Sequence, residues 1–133
     1  MHDPLKSKYL AYVLNATSRA ELLAAYPPKH EKVVAHHVTI QFNVTEAGMK
    51  LLDSEKTPEV VVVAYASDDK VDCVLVNFKG TCKRMDGSFF HVTLSTSPTG
   101  KPVDSNALLK AQAGLDWSKN KLVLSGKLEL VNK

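Results

Sequence analysis

The sequence predicts an α+β protein, a compact pair of lobes built from antiparallel sheet with helices packed on their outer face. Three observations lead there. Apolar runs of strand length recur from end to end, short helical patterns sit between them, and turn signals in the middle join neighbouring runs as hairpins. At 133 residues the chain fits one domain, 1–133, large enough to bury its own core.

Tyr9 to Leu14 is aromatic and aliphatic and reads as the first strand. Ser18-Arg-Ala-Glu21 then has the form of a capping box, with Leu22, Leu23 and Tyr26 following at helix spacing. Pro27-Pro28 stops that helix and opens a loop through Lys29 and His30. Val33 to Phe42 is the next strand, and Thr45 to Leu52 a short helix interrupted by Gly48. Glu59 to Ser67 and Val71 to Lys79 form a hairpin across Asp68-Asp69-Lys70. Asp86-Gly87 marks another turn, and Ser88 to Thr96 is the strand after it. Asp104 or Ser105 caps a helix carrying Leu108, Leu109 and Gln112, which Gly114 ends. Lys121 to Val131 closes the chain as one bent strand or a pair.

Composition narrows the function. With 44% hydrophobic and 23% charged residues the chain is globular, neither disordered nor fibrous. A net charge of +3 suits a small anionic ligand, whereas a duplex-DNA binder needs a denser basic stripe. No apolar run reaches the length of a membrane span, and the N-terminus lacks the apolar core of a secretion signal. The expectation is a cytoplasmic monomer with no membrane partner. Cys73 and Cys82 read as free thiols, Cys73 as a small core residue.

Two of the five histidines share near-identical surroundings, His37-Val-Thr-Ile40 and His91-Val-Thr-Leu94. In a strand, residues two apart face the same way, so His37 projects with Thr39 and His91 with Thr93, while the intervening valines turn into the core. An imidazole beside a hydroxyl suits a phosphodiester. A neutral ring takes a proton from the attacking oxygen, a protonated ring returns one to the leaving oxygen, and the hydroxyls hold the non-bridging oxygens. Both ring forms are accessible near neutral pH. The arrangement requires neither a metal nor another cofactor.

Around the motifs, Gln41 and Ser95 extend the two reactive faces, and Phe89 shares the His91 face, where it stacks on a base or packs in the core. Lys29 and His30 sit in the Pro-Pro loop, either as contacts to a substrate phosphate or as part of a solvated loop, and Lys101 follows the second motif as added positive charge or an ordinary exposed lysine. His36 points to the face opposite His37 by alternation and reads as structural. A zinc site of His36, His37 and His91 lacks ligand spacing and cysteine partners.

Two His-x-Thr motifs flanked by hydrophobics in a small α+β chain resemble the 2H phosphoesterase superfamily, which includes LigT-like RNA ligase/cyclic phosphodiesterases and related RNA-repair domains. The resemblance runs from the Tyr9 strand through the last one, although this chain is short for the family and its motifs lie only 54 residues apart. It implies two lobes whose motifs face each other across a groove, with His37 and His91 as the catalytic pair and Thr39 and Thr93 as phosphate ligands. The implied substrates are RNA ends or small nucleotides carrying 2′,3′-cyclic, 2′–5′ or related phosphodiesters. A binding module that captures an RNA end without cleaving it is the competing expectation.

Overall fold

The computed structural model describes residues 7–54, 59–84, 87–101, 103–111 and 116–132. In chain order the elements are β1 (Lys8–Leu14), α1 (Ala16–Ala25), β2 (Lys32–Val33), β3 (His37–Gln41), α2 (Glu46–Ser54), β4 (Val60–Ser67), β5 (Val71–Phe78), β6 (His91–Thr96), α3 (Asp104–Ala111), β7 (Asp116–Leu124) and β8 (Gly126–Asn132). The strands make one antiparallel sheet in the order β7-β4-β5-β6-β3-β1-β8, with β2 paired to β6. The α+β architecture of the sequence reading is therefore present, its two lobes meeting along β3 and β6. No helix among the described residues is long and apolar enough to cross a membrane.

The lobes join at a narrow seam, where Val38 pairs with Val92. On one side of the seam β1 lies between β3 and β8; on the other β5 lies between β6 and β4. Val38 and Val92 are fully buried and belong to the main core with Leu10, Tyr12, Val62 and Val74. Each such side chain contributes about 1.5–3 kcal/mol on burial. Leu22 of α1 belongs to this cluster, and Leu51 and Leu52 of α2 pack against it, so those two helices cover one face. Leu109 of α3 joins Ala64, Ala66, Cys73 and Leu75 in a second cluster on the opposite face of β5. Thus only α1 and α2 share a face, and β5, covered on both sides, is buried along nearly its whole length.

Several local signals resolve differently from the sequence pattern. Helix α1 starts three residues before the expected capping box, because the Asn15 side chain accepts from Ser18 N at 2.8 Å. Ser18 is instead buried, and its hydroxyl accepts from Ser125 N at 2.7 Å. Gly48 does not interrupt α2. A Cβ there would stand 2.1 Å from Gln41 Oε1, which accepts from the backbone N–H and the hydroxyl of Thr45 at the helix start. The run from Val33 to Phe42 is two strands, β2 and β3, parted by Ala35 in the left-handed region at φ 42°. The β4–β5 turn is as expected, with Asp68 Oδ1 accepting from the N–H groups of Lys70 and Val71. Asp86, Gln112 and Gly114 lie outside the described residues.

The last segment is a pair of strands, longer than expected. β7 runs beside β4 and β8 beside β1, at opposite ends of the sheet order, with only Ser125 between them. Two consecutive strands can reach both ends only if the sheet curls, and the curl gives it a concave face.

Candidate functional site

The register of β3 and β6 builds the site. With Val38 opposite Val92 in antiparallel strands, continuing the pairing sets His37 across from Thr93 and Thr39 across from His91, all on the face away from the main core. All four side chains line one cavity of about 690 Å³, within the usual range for small-ligand sites. The arrangement is nearly two-fold. Thr39 is followed by a bulge, since Leu10 and Ala11 of β1 oppose Gln41 and Thr39. Thr93 is followed by another, since Asp72 and Cys73 of β5 oppose Ser95 and Thr93. In each motif strand the extra residue (Ile40 or Leu94) breaks the alternation one step beyond the threonine.

The bulges decide which neighbours reach the cavity. Gln41 and Ser95, expected to extend the reactive faces, are both buried and do not line it. Gln41 holds the start of α2 through Thr45. The Ser95 hydroxyl donates to Asp72 Oδ1 and accepts from His30 N at 3.0 Å. Past the first bulge Phe42 turns outward and joins the lining, half of its surface exposed, stacked on Tyr9 at 6.3 Å between ring centroids. Tyr9 in turn lies 5.5 Å from the His37 ring. Phe89 takes the core alternative, packing against the second core cluster, and its carbonyl accepts from His91 Nδ1 at 2.9 Å. Lys29 and His30 are drawn to another part of the molecule. Lys29 N donates to Asp72 Oδ2 at 3.1 Å, and His30 Nε2 lies 2.9 Å from the Asp68 carbonyl. Lys101 N donates to Asp104 Oδ2 at the start of α3.

Other lining residues carry no sequence pattern that would have found them. Arg84 brings a guanidinium from the segment before β6, and Asn106 comes from α3. Asn106 Oδ1 is buried with no hydrogen-bond partner, an acceptor facing a cavity that can supply a donor. Ser105, next to it, is fully buried and lies 2.9 Å from the Thr93 hydroxyl, which fixes that side chain from behind. Ser105 also bonds the Cys73 thiol, which burial pushes up to about 12 despite that bond, so Cys73 is no nucleophile near neutral pH.

The chain folds like part of a fungal RNA kinase. The crystal structure of that protein matches with a TM-score of 0.67 at 16% identity, covering 100% of this chain and 47% of that one. This chain therefore spans about half the length of its structural neighbour. No protein-family model matches it, and no curated protein does. What is shared is the fold, in a protein whose name places it in RNA chemistry.

Electrostatics distinguish the two histidines from ordinary surface imidazoles. Burial draws His37 down to about 4, with the nearby His36 and His91 rings adding to the effect. Burial also lowers His91; the bond to the Phe89 carbonyl opposes this and Arg84 reinforces it. Both rings are neutral at pH 7 in the free protein. The unfolded chain binds protons on these rings near pH 6.5, whereas the folded chain does not until lower pH. Stability is therefore complete above the unfolded value and falls as pH drops toward 4. For His37 alone the loss is about 3 kcal/mol. Urea unfolding at pH 7 and pH 4.5 should show this decline, and a His37→Gln variant should show a shallower one. An equal slope in the variant would mean that His37 is not the group responsible.

Proposed function

We propose that this protein is a metal-independent phosphodiesterase of the 2H phosphoesterase type, acting on RNA ends or small nucleotides that carry 2′,3′-cyclic, 2′–5′ or cyclic phosphodiesters. The observation that carries this reading is the convergence of both histidine–threonine pairs on one cavity through the Val38–Val92 register. Each pair comes from a different lobe, so a phosphate held between them meets an imidazole from either side.

The chemistry follows from that placement. The Thr39 and Thr93 hydroxyls hold the non-bridging oxygens, and Arg84 balances the charge of the bound ester. One imidazole takes a proton from the attacking water as the oxygen–phosphorus bond forms. The other delivers a proton to the departing ribose oxygen as the opposite bond breaks. The ester's negative charge favours a protonated ring beside it, so substrate binding raises the imidazole that must act as acid. Tyr9 and Phe42 offer an aromatic surface at the His37 end for the base of the nucleotide.

The test is a panel of 2′,3′-cyclic, 3′,5′-cyclic and 2′–5′ linked nucleotides and short RNAs, with products identified by mass spectrometry and phosphorus NMR. Conversion to a monoester that persists in EDTA is the expected result. Ligands that bind but return unchanged would replace this reading with that of an RNA-end binding module.

A further inference from the structure

His36 stands outside the cavity, exposed, yet its Nδ1 lies 3.0 Å from Nδ1 of His37, with the two rings edge-on at 79°. The backbone brings this about. Between the β2–β6 and β3–β6 pairings the 33–38 segment holds two residues more than the partner strand, and buried Ala35 absorbs them in a left-handed turn. That conformation costs a non-glycine residue about 1 kcal/mol. Because of this turn His36 is not directed to the opposite face as alternation alone would have it; it leans on its neighbour.

We propose that His36 is a positioning residue that sets the proton on His37, making His37 the acid and leaving His91 as the base. The proposal rests on the phosphodiesterase reading and deepens it. A carbonyl only accepts, so the His91 bond to the Phe89 carbonyl requires the hydrogen on Nδ1, and the neutral ring keeps a lone pair on Nε2. That is the form of a base. Two facing ring nitrogens share one hydrogen, so one of His36 and His37 donates and the other accepts. If His36 donates, His37 carries its own hydrogen on Nε2, ready for the leaving oxygen. Solvent also reaches exposed His36 more freely than half-buried His37.

The step balances. Water attacks phosphorus while His91 Nε2 takes one of its protons. The bond to the leaving oxygen breaks as His37 Nε2 protonates it, and His37 Nδ1 receives the Nδ1 proton of the His36 imidazolium. His91 then releases its proton to solvent, His37 Nε2 takes one up, and the Nδ1 proton returns to His36. The titratable groups around His37 are Tyr9 from β1, His91 from β6 and His36 itself, with Arg84, which acts on His91, in the same cavity lining.

Two measurements test this. In nitrogen NMR spectra of the wild-type protein at pH 7.5, His91 should show hydrogen on Nδ1 and His37 hydrogen on Nε2, and the His37 preference should disappear in His36→Ala. In kinetics, His36→Ala should lower kcat by roughly 10–100-fold with KM little changed. Its pH profile should change shape, because one ring replaces a pair that shares a proton, and added imidazole should restore part of the rate. Hydrogen on His37 Nδ1, or an unchanged kcat and pH profile in His36→Ala, would overturn the proposal. A wild-type protein with the expected ring forms but no turnover on any substrate would overturn the phosphodiesterase reading and leave the His36–His37 couple standing.

Discussion

Replacing His91 with alanine should lower turnover of a 2′,3′-cyclic nucleotide by about 10²–10⁴-fold, and replacing His37 should do the same. The size follows from what each change removes. Both side chains line the cavity beside a threonine hydroxyl, and neither strand offers a second titratable group on that face of the motif. The double variant should be little worse than either single one, because the two rings serve one transition state and their losses do not add. The loss should fall mainly on kcat, since on the proposed reading Thr39, Thr93 and Arg84 remain in the cavity to hold the phosphate. Thermal unfolding at pH 7 supplies the control for folding. A folded single variant that retains near-wild-type turnover on every accepted substrate would refute the acid–base assignment.

Asp72→Ala should have the largest effect on stability, a loss of about 3 kcal/mol that lowers Tm by about 10 °C. Asp72 is fully buried at the start of β5. One oxygen accepts from the Ser95 hydroxyl; the other accepts from Lys29 N and, at 3.3 Å, from the Tyr65 hydroxyl. Alanine leaves three donors unmatched, and a buried unpaired donor costs more than its bond contributes. The same carboxylate ties the Pro27–His30 loop to β6, with Tyr26 and Tyr65 stacked 5.6 Å apart nearby. Differential scanning calorimetry reads the change, and a shift of under about 2 °C would show that water satisfies the exposed donors. Activity measured well below the variant's Tm should survive, since Asp72 does not line the cavity.

Local rules read much of this molecule from its residues. Strand alternation alone set His37 with Thr39 and His91 with Thr93, because two-residue periodicity depends on nothing distant. The β4–β5 hairpin was legible for the same reason, its aspartate turn being encoded within a few residues. What escaped depends on partners. Gln41 and Ser95 were assigned to the reactive face by extending the alternation past Ile40 and Leu94, where bulges end it, and no glycine or proline marks either bulge. Ala35 is an ordinary residue in an unusual conformation, so neither the break between β2 and β3 nor the contact of His36 with His37 has a sequence signature. Of the two readings open for Phe89 the second core cluster selects the packed one, and Phe42 reaches the cavity only because the bulge turns it outward. Arg84 and Asn106 reach the cavity from segments whose approach only the tertiary fold sets.

The placement of β8 bears on how the protein comes into being. Lys8 lies opposite Asn132, so the outer edge of the first strand is closed only by a segment distant in sequence. Contacts between residues so far apart in sequence are slow to form. During synthesis the hairpin of β4 and β5 can assemble from local contacts, while β1 stays unpaired on its β8 side. Until β7 and β8 are in place, β4 and β1 form the two edges of the sheet, since β7 covers β4 just as β8 covers β1. Open edges of that kind invite pairing between chains, so β7 and β8 also guard the folding protein against association through β4 and β1.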